Sequence, residues 1–415
     1  MFRTLFPTFV SLVLLAVLVQ TACGEDYWPG WLGPNRDGWV SEFQTPQKWP
    51  AKLKPVWRVE VGTGYGTPLV VDDKVFQHAR QGDEEIVWCV DFKTGEVDWK
   101  NSSPVQFKIG GGGERHGKGP KSCPVYSDGR LFTMSITGEL TARDTLTGKV
   151  LWRRNYDKQF KKSHPYWGAA TSPIVDGDRV IVHFGTDAAG ALVALNVKNG
   201  DEVWSQGNDG ASYSSPLLVE LNGVRQVVEW NHNSLVGVES KTGKLLWKHP
   251  FPHVGHNQNM PTPTVHNGRV LLGGENRGIY SLEPQLENGQ WSVTEKWFQK
   301  DVALDMSSAV INGDLLFGFS HYGSGRLFCL DTETGKILWQ GPGRVGRNVA
   351  FLSVRGYVVA LLDNGQLQIN TASGERLETV ANYPVADGEA WAPPVLLQNG
   401  FLVKDLKVLT RWTFD

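Results

Sequence analysis

The segment DTETGKILW, residues 331–339, is a phrase that the chain writes repeatedly. Asp331 and Thr334 can hydrogen-bond to the backbone of a tight turn, and Gly335 supplies the positive φ that such a turn needs. Ile337 and Trp339 then alternate with Leu338, as in a strand. The same spacing links Asp91, Gly95 and Trp99, and again Asp144, Gly148 and Trp152. It recurs in Asn196, Gly200 and Trp204, and in Glu239, Gly243 and Trp247. Asn370 and Gly374 keep the turn but carry Glu378 where Trp is expected, and in the stretched unit LEPQLENGQWSVTEKW the tryptophan position falls to Trp297. A repeat constrains the fold more than any local signal, because each unit must bury its apolar face against its neighbours.

A second phrase precedes each turn: a small residue or Pro, a short apolar run, a Gly or Asp turn, and another apolar run. TPLVVDDKVF, CPVYSDGRLF, SPIVDGDRVIV and TPTVHNGRVLL are instances, and the chain holds eight. Each unit therefore offers four short antiparallel strands in roughly 40–50 residues, the signature of a propeller blade. The eighth unit, from Pro393, ends after three strands, while PVWRVEV at residues 55–61 is a lone strand with its own Trp57. Pairing the two ends closes the ring and removes an exposed sheet edge. The expected fold is all-β: an eight-bladed β-propeller of four-stranded antiparallel blades over residues 55–415, closed by its N-terminal strand.

The 47 Gly and 17 Trp among 415 residues suit this reading, with each indole wedged between sheets. Three cysteines beyond the first segment fall in small-residue positions. Cys89 and Cys329 stand where other units carry Ala142, Ala194 and Gly237, and Cys123 stands where others carry Thr67, Ser172, Ser215 and Thr262. Buried free thiols are expected at all three. No spacing suggests zinc or covalent haem. A net charge of −2 without a long basic run excludes nucleic acid as the expected partner.

Residues 1–24 read as an export signal: Arg3, the apolar run FVSLVLLAVLV, then small residues. Two readings of its end stand open. Cys23 resembles the lipid-accepting cysteine of bacterial lipoproteins, which would tether the chain to a membrane; alternatively Ala22-Cys23-Gly24 is an ordinary cleavage site. Residues 25–54 form a lead-in. The expected location is periplasmic, outer-membrane-associated or secreted, and the expected state is a monomer.

Loop length separates two faces. Turns within each hairpin are short, whereas the loops between blades and between second and third strands are long. His116, His164, Trp167, Asp187, His232, His253, His256, Glu275, Arg277, His321 and Arg347 all fall in the long set, and His266 in a short turn. Binding residues concentrate on loops held by a rigid scaffold, so this rim is the expected ligand or partner face. No catalytic or metal-ligating residue is assigned.

The A/C-x-D-x-x-T-G-x-x-x-W units resemble the tryptophan-docking repeats of the PQQ-like family. That family includes quinoprotein alcohol dehydrogenases and a propeller lipoprotein of outer-membrane assembly. The opening WPGWLGPNRDGWVSE is similar to the lead-in of exported PQQ-like repeat proteins. The resemblance implies either of two functions. The first is an exported, non-catalytic propeller that binds envelope protein, peptide or glycan and needs no cofactor. The second is a small PQQ-dependent oxidoreductase. The vicinal Cys–Cys pair of the quinoprotein dehydrogenases has no counterpart here, and their calcium ligands map onto no residue of this sequence. The first reading is therefore the expectation.

Overall fold

The computed structural model describes residues 26–254 and 259–414. The expectations for the export signal, for Cys23 and for His256 lie outside the described residues.

Among the described residues thirty-two strands form eight four-stranded antiparallel sheets. Blade 1 runs outward from Leu69–Val71 through Lys74–Gln81 and Glu84–Asp91 to Val97–Pro104. Blades 2 to 7 repeat this order, with innermost strands beginning at Val125, Ile174, Leu217, Thr264, Val310 and Val349. Blade 8 takes Val395–Leu397, Gly400–Lys404 and Val408–Thr413 from the C-terminal end, and its outermost strand is Lys54–Glu60. Val59 pairs with Leu409 and Lys54 with Thr413 across that closing seam. The chain is an eight-bladed β-propeller closed by its N-terminal strand.

The repeated phrase is a latch between blades. Asp91 Oδ1 accepts the backbone N–H groups of Lys93 and Thr94 at 3.0 and 2.9 Å, and Asp144 and Asp331 hold Thr147 and Thr334 likewise. The Thr147 and Thr334 hydroxyls also donate to Asp144 and Asp331. These hydroxyl bonds, followed by the backbone ones, hold those two carboxyl groups below the usual range; for Asp91, also lowered, the Thr94 backbone N–H is the leading cause. The turn so fixed receives the tryptophan of the preceding blade. Trp57, Trp99, Trp152, Trp204, Trp297 and Trp339 donate Nε1–H to the carbonyls of Phe92, Thr145, Val197, Ser240, Thr332 and Ser373, at 2.8–3.1 Å. Fully burying an indole removes roughly 150–250 Å² from water, worth about 4–6 kcal/mol. The glycine of the turn lies against that ring: a Cβ on Gly95, Gly148, Gly200, Gly243 or Gly335 would stand 2.5–2.7 Å from the docked indole.

The two departures from the phrase have structural reasons. Trp247 faces the long hairpin Ile279–Glu287/Gln290–Gln299 of blade 5, which closes on the two-residue turn Asn288–Gly289 in place of the repeated Asp–Gly turn, and it donates to Gln226 Oε1 of its own blade at 2.7 Å. Glu378 replaces Trp on blade 7 because blade 8 has no turn to dock on: its third and fourth strands come from opposite ends of the chain. The small-residue positions are equally local. Cys89, Ala142, Ala194, Gly237 and Cys329 are the cross-strand partners of Trp99, Trp152, Trp204, Trp247 and Trp339. Cys89, Cys123 and Cys329 are free and buried.

A second set of bonds runs around the channel wall. Thr67 N donates to Cys123 Sγ at 3.1 Å, Cys123 N to Ser172 Oγ, Ser172 N to Ser215 Oγ, Ser215 N to Thr262 Oγ1, and Thr262 N to Ser308 Oγ, the last four at 2.9–3.0 Å. Each link crosses from one blade to the next. Cys123 is thus a hydrogen-bond acceptor in a belt of small polar side chains, not only a space filler.

The lead-in crosses the short-turn end of the channel. Trp28 pairs with Val70 of blade 1, Pro29 accepts from Tyr126 of blade 2, and Gly38 and Val40 bond Ser353 of blade 7. Between these anchors Arg36, 9% exposed, sends its guanidinium to the carbonyls of Ser172, Pro173 and Pro216 at 2.9–3.4 Å. Carbonyl acceptors stabilise a cation that has left water, although burial still lowers its pKa to about 10.

Gly148 and Gly129 separate two effects. Both have positive φ, +69° and +71°, but an added Cβ meets Trp99 at the first and open space at the second. Gly129→Ala is expected to cost about 1–2 kcal/mol from backbone strain alone. Gly148→Ala is expected to cost about 1–3 kcal/mol more, because the Asn101 amide at 2.2 Å and the docked indole at 2.6 Å must both shift. Urea denaturation of the two variants checks the difference.

Candidate functional site

The eight inter-blade loops meet over the central channel, where they enclose a cavity of about 400 Å³. Every blade junction contributes to its wall. In ring order the lining includes Tyr65, then Arg115, His116 and Lys121, then Trp167, Tyr213, Met260, Asp305 with Met306, Asn348 and Trp391. Glu275, from the hairpin turn of blade 5, joins the wall beside Asp305, and Trp31 and Leu32 of the lead-in line the cavity from the opposite end. The channel is therefore a cup that opens on the long-loop face.

Aromatic pairs shape two sides of it. Tyr65 and Trp391 stack with centroids 5.4 Å apart, and the ring of His116 meets Trp391 edge-on at 4.9 Å. Trp167 and Tyr213 lie 5.7 Å apart, and the Tyr213 hydroxyl accepts the Trp167 backbone N–H at 3.0 Å. The 310 turn Glu114–His116 presents His116 after a glycine run, GGGGERH, in which a Cβ on Gly113 would crowd Trp167 at 2.8 Å. Long loops of small residues fold here because they wrap over fixed aromatic rings.

The wall is charged, and burial tunes it. Lys121 Nζ donates to the Trp167 carbonyl at 2.7 Å, and burial lowers its pKa to about 8. His116 is pushed down to about 4 by burial and by the charges of Arg115 and Lys121. Asp305 is raised to about 6 by burial and by the Glu275 carboxylate, against the pull of Arg115. At neutral pH the cavity thus holds two cations, a neutral imidazole and ionised carboxylates.

Of the eleven rim residues expected from sequence, the structure brings His116, Trp167 and Glu275 into the cavity. His256 lies outside the described residues, and the other seven lie around the cavity or support it. His164 bonds the Pro165 carbonyl at 2.8 Å and packs on Phe107. Asp187 accepts the Tyr166 backbone N–H. The rings of His232 and His253 meet at a tilt of 45° with centroids 3.9 Å apart, and burial together with His253 lowers the pKa of His232. Arg277 is spent on structure, with bonds to Pro252 and Asn259 at 2.8 Å and its guanidinium over Trp230 and Phe251. His321 pairs with Asn276, and Arg347 bridges Asp363 and Glu389. Sequence reasoning missed Tyr65, Arg115, Lys121, Tyr213, Asp305 and Trp391. All lie just ahead of an innermost strand or in the long loop leading to one, a position the repeat already marks.

Acidification tests the environment of His116. Its folded pKa lies below the unfolded value, so the unfolded chain binds protons first and stability falls as pH drops from about 6.5 towards 4. His116→Gln removes that proton site. Between pH 7 and pH 5 the wild-type melting temperature is expected to fall further than that of the variant, and equal falls would place His116 in contact with water.

Comparison with known proteins gives the family. The family model described as outer membrane protein assembly factor BamB matches residues 106–341. A polyvinylalcohol dehydrogenase from Sphingopyxis sp. (strain 113P3) is 23% identical over 73% of this chain and 58% of its own length. BamB of Shewanella oneidensis is 23% identical over 52% of this chain and 55% of its own, so the chain spans under two thirds of either relative. BamB of Burkholderia pseudomallei is 26% identical over 75% of each chain. Among solved structures, BamB from Moraxella catarrhalis superposes with a TM-score of 0.63 at 16% identity, covering 88% of this chain and 98% of that one. A quinohemoprotein alcohol dehydrogenase from Pseudomonas putida HK5 gives 0.69 at 12% identity, covering 94% and 80%. These likenesses establish the fold. With more than half of its length matched by the family model, the chain belongs to the BamB family of PQQ-like β-propellers.

Proposed function

We propose that this protein is an exported, non-catalytic propeller that binds a polypeptide of the cell envelope through its long-loop face. The observation that carries the reading is the aromatic cup at the channel mouth, built by all eight blade junctions. Tyr, Trp and Arg dominate the energetics of protein recognition because they bury large amphipathic surfaces at low entropic cost. Tyr65, Trp167, Tyr213, Trp391 and Arg115 gather at this mouth, whereas the opposite face offers short turns and the lead-in. Membership in a family described by an outer-membrane assembly factor supports a protein partner over a glycan, and a periplasmic or outer-membrane-associated place. Among the described residues no helix is long and apolar enough to cross a membrane.

A polyvinylalcohol dehydrogenase among the relatives keeps a second reading, a PQQ-dependent oxidoreductase. The donor set of the cavity fits that cofactor poorly. Cys123 is a single thiol engaged in the channel belt, and among the described residues no three His, Cys, Asp or Glu side chains converge as metal ligands. Absorbance spectra taken after adding PQQ and calcium, with dye-linked alcohol oxidation, measure this reading directly.

Site-specific photocrosslinking tests the first reading. Val254 on the long-loop face and Leu146 on the opposite face are both exposed apolar residues, at 58% and 87%. A photoreactive amino acid at position 254 is expected to give discrete adducts with envelope proteins, and one at 146 none. The reverse pattern would move the partner to the short-turn face.

A further inference from the structure

The charges of the channel mouth are sorted by position in the ring. Arg115 and Lys121 belong to the junction of blades 1 and 2, and Asp305 to the junction of blades 5 and 6, with Glu275 beside it. In a ring of eight blades these junctions lie four steps apart in either direction, so the cationic and anionic arcs face each other across the cavity. The aromatic pairs fill the flanks between them: Trp167 and Tyr213 at the junctions of blades 2/3 and 3/4, Tyr65 and Trp391 at 8/1 and 7/8. His116 adds no charge to the cationic arc at neutral pH.

Arg115 reaches Asp305 as a charge across the cavity. Arg115 donates Nε–H to His116 at 3.2 Å, and Lys121 donates to the Trp167 carbonyl. Asp305 feels Glu275 and Arg115 as charges, with no hydrogen-bond donor to it among the described residues. A lone anion in this cup would sit well against one wall and face carboxylates on the other, and a lone cation meets the converse problem. The electrostatic complement is a molecule carrying both charges at opposite ends. A cavity of about 400 Å³ lies in the range of small-ligand sites.

We propose that the channel mouth binds a zwitterionic α-amino acid or short peptide. Its carboxylate faces Arg115 and Lys121, its ammonium faces Asp305 and Glu275, and its apolar or aromatic side chain rests against an aromatic flank. This assignment rests on the reading of the long-loop face as a binding surface and adds the ligand class of its central cup.

Isothermal titration calorimetry of the mature protein tests it with four probes: L-phenylalanine, Gly-Phe, N-acetyl-phenylalanine and phenylalaninamide. Phenylalanine or Gly-Phe is expected to bind at least about tenfold more tightly than either capped compound, the loss expected for one charge-assisted hydrogen bond. Which of the two binds distinguishes a free amino acid from a peptide. Asp305→Asn is expected to weaken the zwitterion about tenfold with little change for N-acetyl-phenylalanine. Arg115→Gln/Lys121→Met is expected to weaken the zwitterion and spare phenylalaninamide. Equal affinity for capped and uncapped probes, or no heat with any of them, would overturn the proposal; the four probes decide this on wild type even if a variant fails to fold. Crosslinking at position 254 reports separately on the rim, so a protein that captures its envelope partner but ignores the zwitterions refutes this assignment alone.

Discussion

The ring depends on one interaction, the donation from each blade to the next. On the outer side it is the indole N–H of a tryptophan reaching a turn carbonyl, from Trp57 round to Trp339. On the channel side it is a backbone N–H reaching a hydroxyl or thiol, from Thr67 round to Ser308. Both run in the same sense, from blade n to blade n+1. At the junctions of blades 1/2, 2/3, 3/4 and 5/6 a blade is therefore gripped at its inner and outer edges by the same neighbour, which fixes the angle between sheets. Where blade 8 offers no receiver the chain carries Glu378, and where blade 5 offers none Trp247 turns to Gln226 of its own blade.

A ring held from within its own strands leaves the loops free to vary. The indole latches lie on the outer side of the blades, away from Arg115, Asp305 and Trp391, whereas the belt residues Cys123, Ser172, Ser215, Thr262 and Ser308 also line the cavity. The aromatic cup and its opposed charges can change without touching the indole latches. The lead-in makes the same division from the other end: it seals the short-turn side with Arg36 and presents Trp31 and Leu32 to the cavity. Access is thereby directed to one face.

Most of the fold was legible in the sequence because its latch is written in fixed spacing. Asp–Gly–Trp recurs at constant intervals, and even the blurred unit gave Trp297 correctly. The closing strand was legible from the mismatch between the two ends. The candidate site was less so. His116, Trp167 and Glu275 reached the cavity, yet Arg277 turned inward onto Trp230 and Phe251, and Asp305 went unnoticed in the loop between blades 5 and 6. Periodicity tells which face a loop occupies; it does not tell which way a side chain turns once there. The role of the lead-in was hidden for a similar reason, since residues 26–53 carry no repeat and gain their meaning from contacts with blades 1, 2, 3, 4 and 7.

The central claim is that partner recognition occurs at the channel mouth while the latched ring stays unchanged. Hydroxyl-radical footprinting with an envelope fraction tests it most directly. On addition of the fraction, Tyr65, Trp167, Tyr213 and Trp391 are predicted to lose reactivity while Leu146, on the short-turn face, keeps its own. Protection of Leu146 with unchanged reactivity at the four aromatic rings would contradict the account.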